Sequence, residues 1–300
     1  MLVKTVALSG VEMLINVFQT TKIRRQTLYW LCSILIFSLI VIHSSIADAR
    51  NSGSIHLIMG TPSAAMSDPS NEDDYLLIRR QYALSYNNSK RIANWVSWQL
   101  NSSWLGSVDR CSSFSPDPDL PKNFVAVRPN DYTGSGFSRG HMTRSGDRSK
   151  STTDNCATFF MTNILPQTQD NNGGPWLQLE DLSRDLAQKG KELYIIAGGN
   201  GKGGTGTKGF ATEIGKNKVT VPSTLWKIVV VLDRPGLGNR GVTEKTQVIA
   251  VSMPNTTGIQ RKSYKDYLTT VDELEKLTGY DFLSDVYEDV QKVIEAKEDK

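Results

Sequence analysis

The segment Gly136-Phe137-Ser138-Arg139-Gly140-His141-Met142, with Arg144, Asp147 and Arg148 just downstream, constrains this chain more than any other stretch. An imidazole exchanges a proton near neutral pH, and guanidinium forks match phosphate oxygens, so the segment suits phosphodiester chemistry. Gly140 is expected to allow a tight backbone turn that brings Arg139 and His141 to one pocket. A surface turn carrying a solvated histidine would use the same residues. A second stretch weighs against that plainer reading: Thr162-Asn163-Ile164-Leu165-Pro166-Gln167, then Asp170-Asn171-Asn172, then Trp176 and Glu180.

Together these residues resemble the DNA/RNA non-specific endonucleases of the ββα-metal (His-Me finger) class, whose signature is Asp-Arg-Gly-His followed by an Asn…Trp…Glu block. Within that family the likeness is to the secreted cyanobacterial sugar-non-specific nucleases. It extends from about Ile55 to the C-terminal region and takes in Leu84-Ser85-Tyr86-Asn87-Asn88-Ser89, Trp95 and Ser103-Trp104-Leu105-Gly106. His141 precedes Asn172 by 31 positions and Asn172 precedes Glu180 by 8, as in the family, and Arg110 stands 31 positions before His141. One position departs: Ser138 stands where the family carries aspartate.

The N-terminus is expected to lie outside this domain. Lys22, Arg24 and Arg25 precede an apolar run from Leu28 to Ile46, which ends in Ala47-Asp48-Ala49. That order describes a secretory signal peptide, with cleavage after Ala49 and a single nuclease domain at 50–300. The run is also long enough for an uncleaved anchor. Removing 1–49 takes four basic and two acidic groups from a net charge of +3 and leaves +1, so nucleic-acid binding must come from a local patch. The remaining Cys111 and Cys156 are free to pair in an exported protein, and their spacing alone does not decide it. With His56 and His141 the only other such ligands, a structural zinc site would have to take all four at once, and none is expected.

The fold class expected is α+β, a central and mostly antiparallel sheet flanked by helices, with the ββα motif running from near Arg139 through the helix carrying Glu180. Strands are expected at Tyr75 to Tyr86, Trp95 to Leu100, Asn155 to Leu165, Leu193 to Ala197, Leu225 to Leu232 and Val248 to Met253. Pro175 is placed to open a helix whose apolar positions recur to Leu186 and which Gly190 ends. The tail from Ser263 reads as two helices broken at Gly279. His56 lies in an apolar run and reads as a packed residue. Gly201-Lys202-Gly203-Gly204-Thr205-Gly206 matches GxGxxG formally but lacks the apolar helix that a dinucleotide site needs, and reads as a hairpin loop.

The resemblance implies a role for each site residue. His141 is the general base that takes a proton from the attacking water, in its neutral form. Asn172 is the one direct protein ligand of Mg²⁺ or Mn²⁺, an ion that keeps several of its waters, and Glu180 holds one of those waters. Arg110 and Arg139 bind non-bridging phosphate oxygens, with Arg184 a third candidate. A plain Glu180–Arg184 ion pair is the alternative for that helix face. Asn163 supports the site, and Ser138 is expected to tune activity rather than abolish it. The implied function is hydrolysis of single- and double-stranded DNA and RNA to 5′-phosphate products by a secreted or periplasmic enzyme; no inhibitor partner is legible. Two other readings remain: a nucleic-acid-binding protein with impaired catalysis, and a membrane-anchored structural protein.

Overall fold

The computed structural model describes residues 53–299, and the proposed export signal at 1–49 lies outside them. Seven strands form one antiparallel sheet in the order β1-β2-β3-β6-β11-β12-β13. They are β1 (Tyr75–Ile78), β2 (Ala83–Asn87), β3 (Ile92–Leu100), β6 (Glu192–Asn200), β11 (Thr224–Leu232), β12 (Gln247–Pro254) and β13 (Leu268–Thr269). Three two-stranded ribbons stand apart from it. One pairs β4 (Ser138–His141) with β5 (Ile164–Gln167); the others pair β7 (Gly204–Gly206) with β8 (Gly209–Ala211), and β9 (Glu213–Ile214) with β10 (Val219–Thr220). The helices are α1 (Thr152–Ala157), α2 (Gln169–Asn172), α3 (Pro175–Gln188), α4 (Val271–Thr278) and α5 (Glu288–Glu295). This is the expected α+β class.

The central strands are buried on both faces, which is why Leu225 to Leu232 reads as an apolar run, interrupted only by Lys227, instead of an alternating one. Alternate residues still separate into two cores. Leu225, Val229 and Val231 pack with Leu193, Ile195, Trp176 and Leu179 on the face that α3 covers. Trp226, Ile228 and Val230 pack on the other face with Leu57, Leu274, Phe282 and Ile294. The β4–β5 ribbon, through Ile164 and Leu165, and α3 therefore share one side of the sheet.

Three expected elements differ. Tyr75 to Tyr86 is two strands, because Arg79 N donates to Tyr82 O at 2.8 Å and closes a hairpin between β1 and β2. Asn155 to Leu165 is not one strand. Ser151 caps α1 by accepting from the Asp154 amide and donating to its carboxylate, so the chain enters a helix there and becomes extended only at Ile164. In the tail, Gly279 ends α4 at φ +75° as expected, but β13 precedes that helix and α5 starts only at Glu288. Among the described residues no helix is long and apolar enough to cross a membrane.

Candidate active site

The ribbon sets the geometry. Its register pairs Ser138 with Gln167, Arg139 with Pro166, Gly140 with Leu165 and His141 with Ile164. Successive side chains on a strand point to opposite faces, so Arg139 and His141 share one face while Ser138 and Gly140 share the other. Gly140 is therefore not the tight turn expected of it. It is a strand residue whose missing side chain makes room: a Cβ there would collide with the Gln167 side chain.

On the Arg139/His141 face two phenylalanines form a floor. The His141 ring lies 5.4 Å from Phe114 and 4.9 Å from Phe159. The Arg139 guanidinium lies 5.4 Å from the Phe114 ring, and that of Arg110 lies 4.8 Å from the Phe159 ring. Three expected site residues thus adjoin the same two rings, whose faces favour the two guanidinium cations. Arg139 donates to Pro129 O at 2.7 Å and Arg110 donates to Ser145 Oγ. A guanidinium has five N–H donors, so each keeps several for another partner. The Arg110 loop is fixed by the Cys111–Cys156 disulfide, whose other end lies in α1.

His141 is 8% exposed, and its Nε2 is buried without a hydrogen-bond partner. Burial, then Arg110, then Arg144, push its pKa down to about 3, so the imidazole is neutral at neutral pH. Burial is the larger cause, and the two arginines add to it. The strand behind His141 is held by Asn163, which accepts from Thr143 N and donates to Thr143 O and Thr158 O, each at 2.9 Å.

After β5 the chain turns through Thr168 into α2. Buried Asn255 clamps this corner, accepting from Thr168 N at 2.8 Å and donating to Pro166 O at 2.9 Å. The adjacent asparagines then diverge. Asn171 is fully buried, accepts from Gln167 Nε2 and donates to Pro254 O. Asn172 is half-buried, and its carboxamide makes no hydrogen bond among the described residues. A free amide oxygen suits a hard divalent ion that retains most of its waters. The one cluster of three metal-ligating side chains among the described residues, Asp272, Glu275 and Glu295, lies elsewhere in the tail.

Glu180 sits in the second turn of α3, buried, with Arg144 Nε 3.5 Å and Lys227 Nζ 3.9 Å from its carboxylate. Its expected alternative partner, Arg184, turns away and donates to Gly146 O. Arg184 and Arg110 instead hold neighbouring residues, Gly146 and Ser145, of one short turn. Burial raises the Glu180 carboxyl and lowers the Lys227 ammonium, while each charge favours the other. Lys227 also lies 3.9 Å from the Trp176 ring.

Sequence reasoning gives no role to Lys227, Arg144, Phe114 or Asn255. For Lys227 a signal exists, a lone cation inside the apolar run of β11. The Ser138 hydroxyl donates to Gln169 Oε1 at 2.8 Å, on the face away from Arg139, and so links β4 to the helix carrying Asn172. His56 is packed as expected, with Nε2 donating to Arg80 O at 2.7 Å and Nδ1 accepting from Gln99 N at 3.1 Å. The glycine-rich stretch forms the β7–β8 hairpin.

Known proteins match over this same span. The family model for DNA/RNA non-specific endonucleases matches residues 59–289. A nuclease of Nostoc sp. is 54% identical over 246 residues, covering 82% of this chain and 86% of the relative. The human mitochondrial nuclease EXOG is 34% identical over 208 residues, or 67% of this chain and 55% of its own length. The crystal structure of the EndoG/EndoGI complex aligns with TM-score 0.62 at 23% identity, covering 77% of this chain and 91% of that one, which shows likeness of fold.

Proposed function

Because this chain belongs to the DNA/RNA non-specific endonuclease family, we propose that it is an exported enzyme that cuts both polymers by His141-assisted attack of water, with Mg²⁺ or Mn²⁺ at Asn172 and 5′-phosphate products. The observation that carries the reading is a buried, neutral imidazole lying on the same aromatic floor as Arg110 and Arg139.

His141 accepts the proton of the attacking water. Its ring is positioned by packing, with Nε2 buried; Nδ1 makes no hydrogen bond among the described residues and is the nitrogen open to the reactant. Arg110 and Arg139 present their remaining N–H groups to the non-bridging oxygens. Asn172 would hold the ion directly and Glu180 would hold one of its waters, while Arg144 and Lys227 orient Glu180. When bound, the ion supplies charge neutralisation at the phosphate and the departing 3′ oxygen. Arg184 braces the turn that carries Gly146. Every contact goes to phosphate, which carries no base identity, and this accounts for the lack of sequence preference. For export, the support is the leader pattern before Ala49 and a paired Cys111–Cys156, a bond typical of oxidising compartments. Amino-terminal sequencing of the chain recovered outside the cell tests it, with Arg50 the expected first residue.

The direct test is incubation of plasmid DNA and of RNA with residues 50–300. Cleavage of both is expected with Mg²⁺ or Mn²⁺, and none in excess chelator. Undiminished cutting in chelator sinks the metal assignment; binding without cutting under any metal favours the impaired-catalysis reading.

Ser138 gives a finer check. In Ser138→Asp the Gln169 amide must turn to offer its Nε2, replacing one hydrogen bond with another. Turnover is expected to rise or to stay within about tenfold of the parent, the scale of one net hydrogen bond. A larger loss at every pH would mean that the serine–glutamine link is itself required.

A further inference from the structure

A second concentration of positive charge lies away from the catalytic cluster. Where the β11–β12 connection folds beside the end of α3, a cleft of about 650 Å³ is lined by Lys191, Arg234, Arg240 and Lys245 against one carboxylate, Asp233. Asp233 pairs with Lys191 at 2.6 Å. Arg234, Arg240 and Lys245 are exposed and have no ion-pair partner among the described residues. On a chain whose net charge is only +3, three unneutralised cations in one cleft make a local field, and the apolar Leu186 and Val231 in its wall sharpen it.

Two elements measure how far this cleft lies from the catalytic cluster. Along α3, Leu186 follows Glu180 by six positions, about 9 Å at the helical rise. Along β11, Val231 follows Lys227 by four positions on the same face of the sheet, about 13 Å at the strand rise. Glu180 and Lys227 are themselves in contact, so both measures start from one place. They also end in one place. At about 3.4 Å per nucleotide along one strand, that separation is roughly three to four nucleotides.

We infer that this cleft is a second contact for the nucleic-acid backbone, holding phosphates a few nucleotides from the bond being cut. The inference rests on the nuclease reading above. Its cations would meet phosphates alone, so they anchor the polymer without introducing base preference. Each neutralised phosphate releases counterions, which makes the contact visible as salt dependence.

The test uses the variant Arg234→Gln/Arg240→Gln/Lys245→Gln, which changes only exposed side chains. Binding of a labelled duplex of roughly thirty base pairs is titrated with salt in excess chelator. The plot of log affinity against log salt is expected to be shallower than the parent's by about 2–3, close to one per lost phosphate contact, with affinity at least about tenfold weaker near 0.1 M salt. Turnover of a substrate of about two nucleotides, too short to reach the cleft, is expected to be unchanged, while KM for the long duplex rises and kcat does not. Equal salt slopes for parent and variant overturn the inference, as does an equal loss on short and long substrates. A parent that binds the duplex yet cleaves neither substrate defeats the nuclease reading, and the salt slopes still decide the cleft.

Discussion

His141→Ala is expected to lower turnover by at least about a hundredfold, the low end of what a positioned general base contributes, and to leave the fold intact. Among the described residues the ring makes no hydrogen bond that the fold would lose, and Phe114 and Phe159 pack against it. The variant should therefore keep its circular dichroism spectrum while losing rate. Cleavage at the parent's rate would remove His141 from the mechanism. The pH dependence carries a second signature. With its pKa pushed down to about 3 from 6.5, the imidazole stays neutral well into the acid range, so the acid limb of the rate set by His141 lies far below pH 6.5. Stability runs with the same sign. An unfolded chain protonates its histidines below about pH 6.5. The native state resists that at His141 and also at His56, which burial lowers to about 4. Acid therefore costs stability progressively from about pH 6.5 downward, and removal of the His141 ring should lessen that slope. An acid-stability slope equal to the parent's would argue against the depressed pKa.

Lys227→Met is expected to cost about 3–5 kcal/mol of stability, because it leaves the buried Glu180 carboxylate without its innermost counter-charge. Lys227 is 1% exposed, and the other cation at Glu180, Arg144, is partly drawn away by Asp181 at 2.5 Å. The control is the double variant Lys227→Met/Glu180→Gln. Removing both charges removes the desolvation problem along with the attraction, so the double variant should recover most of the loss. Denaturant melts of parent, single and double variants make the comparison. A neutral Lys227→Met would show that Arg144 alone compensates Glu180.

What was legible in the sequence was what is local in the sequence. The helix from Pro175 to Gln188 announces itself by its opening proline, its apolar spacing and the glycine after its end, so the position of Glu180 on it follows. The long strands at Leu193, Leu225 and Val248 follow from β-branched runs. The failures have equally physical causes. The stretch before Ile164 is apolar enough for a strand, yet Ser151 and Asp154 form a cap that starts a helix in its place. Lys227 meets Glu180 across 47 positions of chain, and no local pattern reports a contact at that separation. Phe114 lies in a proline-rich loop without periodicity, so nothing nearby marks it as the floor beneath His141. Gly140 is a strand residue rather than the expected turn: strand alternation puts Arg139 and His141 on one face, and the glycine makes room for Gln167.

The shared floor has a consequence for how damage to the site accumulates. Phe159 supports both His141 and Arg110, and Phe114 supports both His141 and Arg139. Loss of either ring releases two functional groups together, so its effect overlaps with the loss of those groups. Groups that depend on one support are coupled, and their mutational free energies do not sum. In a double-mutant cycle, Phe159→Leu combined with Arg110→Ala falls short of the sum of the two single losses. The catalytic face thus behaves towards substitution as one cooperative patch, in which the first defect is severe and each later one adds less.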